Sequence, residues 1–198
     1  MKKIIYLFII TAFIGVACSN EEEETFYVPK QRGYLRINLP EPKYVQTPDS
    51  LPYSFEYSAH AKLLNDTSVV TERYWFELYY PQFTSNIDIS YRKINNNKNF
   101  FRDYVNDSHT LVGKHHFKAS GITETTFKTA KGYSAIVFEL RGDVPSQFQF
   151  YVTDSTQNFL RASLYFPTNL HNDSLAPVID FVKEDMLHMI RTLEWKKK

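Results

Sequence analysis

The chain is poor in cysteine, glycine and net charge, and each shortage excludes something. A single cysteine, Cys18, allows no internal disulfide and no cluster of thiolate metal ligands. Lys and Arg number 23 against 22 Asp and Glu, a formal net charge of +1, which gives no electrostatic case for binding nucleic acid. No GxSxG turn is present to strain and expose a serine nucleophile. No HExxH pair sets two histidines on one helix face for a metal. The apolar run at residues 4–17 falls short of the roughly 20 residues that a spanning helix needs. Glycine is scarce at six, whereas aromatics abound, with fourteen Tyr and sixteen Phe. That balance favours a β-rich domain with strands filled by aromatic side chains. With 198 residues, one domain is the default. A chain of this size buries roughly 70% of its unfolded surface and needs neither disulfide nor metal to fold.

The first residues carry the most specific local signal. Lys2 and Lys3 precede the apolar run, and Gly15 and Ala17 supply small residues just before Cys18. This is a signal-peptide pattern, and a cysteine placed directly after it resembles the bacterial lipobox. The usual leucine three positions before the cysteine is replaced here by Gly15. In that class of signal the peptide is cut before the cysteine, whose thiol receives palmitate-class acyl chains. Each buried CH₂ contributes about 0.8 kcal/mol, so two or three chains anchor firmly. With Cys18 acylated, no thiol remains for redox work or nucleophilic catalysis. An ordinary signal peptide with a chance cysteine is the alternative. The four glutamates 21–24 form a solvated tether, since a block of like charge resists folding. They also resemble the surface-export signal of lipoproteins of the Bacteroidetes. The expected organisation is a signal peptide at 1–17, a lipidated cysteine and acidic tether at 18–32, and one globular domain at 33–198.

Hydrophobic spacing divides that domain. In QFQFYVTDST, Phe148, Phe150 and Val152 alternate with Gln147, Gln149, Tyr151 and Thr153, predicting a strand with one buried and one polar face. NFLRASLYF returns as a second strand with Leu160, Ala162, Leu164 and Phe166 on one side. Further strands are expected at 34–39, at 53–57, in RYWFELYY (73–80), at 86–92, at 122–128 and at 133–140. Of these, 53–57 reads as an edge strand. Between the strands, Asn95, Asn96 and Asn97 offer caps for an amphipathic helix at about 97–117. A second helix, at about 174–194, closes the chain, with Asp173 or Ser174 as its N-cap. Short connections imply antiparallel pairing. The expectation is an α+β fold: an antiparallel sheet of about six to eight strands covered by two amphipathic helices. The arrangement resembles the PsbP/Mog1-like sandwich.

Candidate chemistry is thin. His109, His115 and His116 do not share one helix face at ligand spacing, and His171 and His188 have no ligand-spaced acidic or cysteine partner. Neither a metal nor a cofactor is expected. Glu184 and Asp185 read as the charged outer face of the terminal helix. Arg161 stands in a strand, opposite the leucine face, where Asp154 or Asp143 could pair with it or a protein partner could bind it. Trp75, Tyr79 and Tyr80 are the candidates for an exposed aromatic contact patch, with burial against a helix as the other reading. Asp49-Ser50-Leu51 and Asp173-Ser174-Leu175 resemble the sites at which Bacteroidetes O-glycosylate exported proteins, making Ser50 and Ser174 candidate acceptors.

A family resemblance covers nearly the whole mature chain. The segments RGYLRINLP, YSFEY, IDISYRKI, NDSHTLVGKHHFKASGI, QFYVTDST, NFLRASLYF and NDSLAPVIDFVKEDMLHMI, with the final EWK, resemble the GldD family of gliding-motility lipoproteins of the Bacteroidetes. The resemblance implies a non-catalytic, lipid-anchored envelope protein, in the outer membrane, required for gliding and linked to type IX secretion. Its implied partners are the membrane, through the anchor, and other gliding and secretion lipoproteins. It supplies no catalytic residues. Two other classes stay open: a small-ligand-binding lipoprotein with an apolar pocket between sheet and helix, and an envelope hydrolase whose base and nucleophile converge from distant segments.

Overall fold

The computed structural model describes residues 36–65, 72–166 and 172–196, with side chains from 175 onward in the last segment. Alternation with a period of two builds the main sheet. Its strands are β4 (Lys62–Asn65), β5 (Phe76–Tyr80), β6 (Ser85–Lys93), β7 (Ala119–Lys128), β8 (Ser134–Gly142), β9 (Phe148–Thr153) and β10 (Asn158–Tyr165). They pair antiparallel in the order β4-β5-β6-β10-β9-β8-β7. The last strand of the meander thus returns to lie against β6, with Arg161 opposite Ser90 and Leu164 opposite Ile87.

Two helices cover the sheet, one on each face. Helix α1 (Lys98–Gly113) begins where Asn97 accepts hydrogen bonds from the backbone N–H groups of Asn99 and Phe100. It ends at Gly113, earlier than the apolar spacing suggests, and a hydrogen-bonded turn through Lys118 follows. Helix α2 spans Asn172–Thr192 and carries Pro177 in its interior. It starts before the expected boundary, so Asp173 and Ser174 lie inside its first turn rather than at its cap. Among the described residues no helix is long and apolar enough to cross a membrane.

The two faces bury different sets. Towards α2 lie Leu78, Tyr80, Ile87, Ile89, Phe148, Phe150, Val152, Leu160 and Leu164, packed with Val178, Val182, Met186, Met189 and Ile190. Each such side chain, fully buried, contributes about 1.5–3 kcal/mol. Towards α1 lie Ile136, Phe138, Leu140, Tyr151 and Phe159, joined by Val112 and flanked by Phe101, Tyr104 and Val105. Strand β9 is therefore buried on both faces, contrary to the polar face expected of it. Its Gln149 and Thr153 lie on the side that α1 covers and are each 1% exposed.

Short elements complete the fold. Strand β1 (Tyr44–Gln46) pairs with β3 (Glu56–Ser58), and β2 (Tyr53–Ser54) pairs with β11 (Glu194–Trp195). The expected edge strand at 53–57 is thus two fragments serving two separate small sheets. In the expected strand at 34–39, the described residues 36–39 hold no regular structure, although Ile37 packs on the core. RYWFELYY is a strand only from Phe76, since Arg73 and Tyr74 form a turn with Tyr74 at φ 74°. All described residues belong to one compact unit, residues 35–198.

Candidate functional site

A groove of about 480 Å³ lies between α1 and the sheet. Helix α1 reaches only part of its face, and β5, β6 and β10 project polar side chains into the uncovered part. The register sets the lining: Glu77 faces Asp88 across β5 and β6, and Ser90 faces Arg161 across β6 and β10. From α1, Tyr104, Asp107 and Lys114 close the other wall.

Two guanidiniums dominate it. Arg92 lies between two rings, 5.4 Å from the centroid of Trp75 and 5.1 Å from that of Tyr104. Its Nη1 donates to Asp107 Oδ2 at 3.2 Å, and its Nε stands 3.6 Å from Glu72 Oε1. Trp75 is pinned in turn, its Nε1 donating to the Tyr91 carbonyl at 3.0 Å. Arg161 sits deeper and donates from Nη2 to Gln149 Oε1 at 2.5 Å. Burial lowers its pKa, while Tyr165 and Asp88 pull the other way; an arginine still stays charged. Gln149 also accepts from Ser163 Oγ at 3.4 Å, and its buried Nε2 has no hydrogen-bond partner among the described residues.

The expected acidic partners of Arg161 are corrected here. Asp154 spends its carboxylate on the turn between β9 and β10, where Oδ1 accepts from the backbone N–H groups of Thr156, Gln157 and Asn158 at 2.7–3.0 Å. Burial raises its pKa, but those hydrogen bonds outweigh it and the net shift is downward. Asp143 is an exposed loop residue. Because register brings Gln149 diagonally beside Arg161, a neutral amide takes the place expected of an ion pair.

The aromatic patch does not assemble as one surface. Tyr80 is 0% exposed and points to the α2 core, so it is removed from any contact patch. The physical reason is strand parity: Phe76, Leu78 and Tyr80 point one way, Glu77 and Tyr79 the other. Trp75 lines the groove and Tyr79 is half-buried on the groove's face of the sheet.

On the α2 side lies a polar cluster around Asp185, a residue expected on the helix's charged outer face. Asp185 is 2% exposed, and Tyr80 Oη donates to its Oδ2 at 3.0 Å. Burial pushes the Asp185 carboxyl up, and the Tyr80 hydrogen bond partly offsets this. Burial also raises the Tyr80 phenol well above its ordinary value, and the Asp185 charge adds to it. One turn on, His188 stacks on Tyr44 at 3.7 Å between centroids, and its Nε2 lies 2.7 Å from Glu56 Oε2. The sequence signal for Asp185 was the helical stripe itself. It falls three residues after Val182 and four before Met189, both core residues. Glu184, the next residue back, is exposed as expected.

The remaining candidates are dispersed. His109 Nδ1 lies 3.7 Å from Glu124 Oε2, and burial and nearby Arg161 lower the pKa of His115. Among the described residues no group of three or more His, Cys, Asp or Glu is placed to hold a metal. Ser50 occupies an exposed turn beside Asp49, whose carboxylate lies 3.3 Å from Lys196 Nζ. Cys18, the acidic tether and His171 lie outside the described residues, as does the side chain of Ser174. Chemically, the groove offers fixed charges of both signs. The serine of its helical wall, Ser108, donates to the Tyr104 carbonyl at 2.9 Å instead of facing a base. That arrangement suits recognition of a polar surface.

The family described as gliding motility lipoprotein GldD matches residues 24–195. No curated protein matches the sequence. Among solved structures, the Saccharomyces cerevisiae Ran-binding protein Mog1p is similar at a TM-score of 0.48 and 9% identity. That likeness covers 78% of this chain and 96% of Mog1p.

Proposed function

The chain belongs to the gliding motility lipoprotein GldD family, and from that membership we propose a non-catalytic role in gliding and type IX protein secretion. As a member of a lipoprotein family it is a lipid-anchored envelope protein. In this proposal Cys18 carries the lipid, the four glutamates 21–24 hold the domain off the bilayer, and the membrane is the outer one. The protein works by contact with other gliding and secretion lipoproteins. The observation that carries this reading is the family match across residues 24–195. The groove supports contact as the mode of action: Trp75 is held by Tyr91, Arg92 by two rings and two carboxylates, and Arg161 by Gln149. Such pre-positioned tryptophan and arginine side chains are what interfaces use as energetic anchors.

The test is affinity purification of the lipidated protein from its native envelope, with mass spectrometry of what accompanies it. Near-stoichiometric recovery of gliding or type IX secretion lipoproteins is expected. Arg161→Ala and Trp75→Ala should lose those partners while retaining a cooperative thermal transition. Recovery of the protein alone would overturn the proposal. A second reading, small-ligand binding, is favoured by the groove's volume of about 480 Å³ between sheet and helix.

A further inference from the structure

We propose that the turn joining α1 to β7 is a second membrane contact, seating Phe117 among the headgroups of an anionic bilayer. Phe117 is 101% exposed, whereas the next most exposed large apolar residue among the described residues, Phe100, is 44% exposed. A scattered apolar side chain at partial exposure is ordinary on a protein surface. A phenylalanine with its whole surface in water, at the tip of a turn, is a different case.

The turn is rigid. Lys114, His115 and His116 each donate a backbone N–H to a carbonyl of the last turn of α1, at 3.0–3.1 Å. Lys118 and Ala119 both donate back to the His115 carbonyl at 3.0 Å. On the other side Gly142, at φ 99°, lets β8 press so close that a Cβ would lie 2.8 Å from Lys118 O and Ser120 N. Phe117 is therefore presented on an already ordered backbone, so contact has only its side-chain rotamers left to fix.

Its neighbours select the partner. Lys114 and Lys118 flank it, His116 is exposed beside it, and no carboxylate occurs from residue 108 through 123. Asp143, exposed after β8, is the nearest acid in the adjoining loop. One ring flanked by two lysines is too small an apolar contact for a stable protein interface, which needs about 800 Å² on each partner. It fits a bilayer boundary, where an aromatic ring lies at headgroup level and lysine stems reach up to anionic lipid. A single element of this kind holds only marginally, and stable attachment takes two signals. The other signal is the lipid anchor of the family, on which this inference rests. Seventeen residues lie between Cys18 and Arg36, a tether of at most about 65 Å when fully extended, so the domain stays near the anchoring leaflet.

The test uses the mature lipidated protein carrying Phe117→Cys, spin-labelled and reconstituted into vesicles of phosphatidylcholine with or without phosphatidylglycerol. Acylated Cys18 leaves residue 117 as the sole thiol; intact mass checks this separately, because a free Cys18 would add a second label. The expected result is that, in anionic vesicles, the label at 117 becomes several-fold more accessible to oxygen and less so to a water-soluble nickel chelate. A reference label at Asn99→Cys, exposed at the other end of α1, stays in water. Adding Lys114→Glu and Lys118→Glu returns residue 117 to water. A label at 117 as water-accessible as that at 99 in both vesicle types would overturn the inference. So would shielding that needs added envelope protein, which assigns the turn to a protein partner.

Discussion

Replacing Tyr80 by phenylalanine removes one hydroxyl from the protein's interior and leaves the ring in place. That hydroxyl donates to Asp185 at 3.0 Å, and both residues are buried. A hydrogen bond to a charged group contributes about 1.5–3 kcal/mol, and without it the buried carboxylate keeps its desolvation cost. For a unit of this size each kcal/mol moves the melting temperature by about 2–4 °C, so Tyr80→Phe should lower it by about 3–12 °C. The penalty should also depend on pH. Burial raises the Asp185 pKa above the ordinary 3.8, so the folded state holds this proton more tightly than the unfolded state does. Stability gained from that preference is complete below 3.8 and is lost as pH rises through the raised folded value. Above that value Tyr80 supports a carboxylate; below it, a neutral acid, for which the bond is worth about 1 kcal/mol. Thermal melts of wild type and Tyr80→Phe, near neutrality and in mild acid, should show the larger gap near neutrality. In an Asp185→Asn background the gap should become independent of pH. An equal gap at both pH values with Asp185 intact would refute the reasoning, because the carboxyl would then keep one protonation state across that range.

Two further outcomes follow from geometry. Gly142→Ala should destabilise by more than about 1 kcal/mol, because it combines φ 99° with a Cβ 2.8 Å from two backbone atoms; urea titration measures it. Leu164→Ala, at a fully buried position in the α2 core, should cost about 2–5 kcal/mol in the same titration, whereas Leu64→Ala, 42% exposed, should stay within about 0.5 kcal/mol.

Sequence periodicity carried the sheet further than it carried the site. The alternation in β10 placed Leu160, Ala162, Leu164 and Phe166 correctly in one core. It also suggested a wet face for β9, because Gln149 and Thr153 look polar wherever they stand; in the fold both are buried, Gln149 against Arg161 and Ser163 and Thr153 against Asn158. The pairing of Tyr53 with Trp195 left no local mark, since two-residue strands have no period and the partners lie far apart in the chain. RYWFELYY misled for a related reason: in a nearly all-aromatic run, hydrophobicity cannot say which parity faces the core. At the site, Arg161 was visible as a charge within a strand, but its partner Gln149 depends on the register of β9 against β10. Likewise, Glu56 and His188 meet across 132 residues.

The pairing of β10 with β6 bears on how the chain comes together. Lys93 opposes Asn158, and everything between them, α1 and the whole of β7 to β9, must exist before that ladder can close. A chain made from its N-terminus therefore completes β4, β5 and β6 with one long side of β6 still open. That side offers nine residues of unpaired backbone in strict alternation, Ile87, Ile89 and Tyr91 among them, the kind of edge that recruits other chains. Closing so long a loop is entropically slow compared with forming the local hairpins. The interval between the ordering of β6 and the arrival of β10 is thus the one in which that edge is open to other chains.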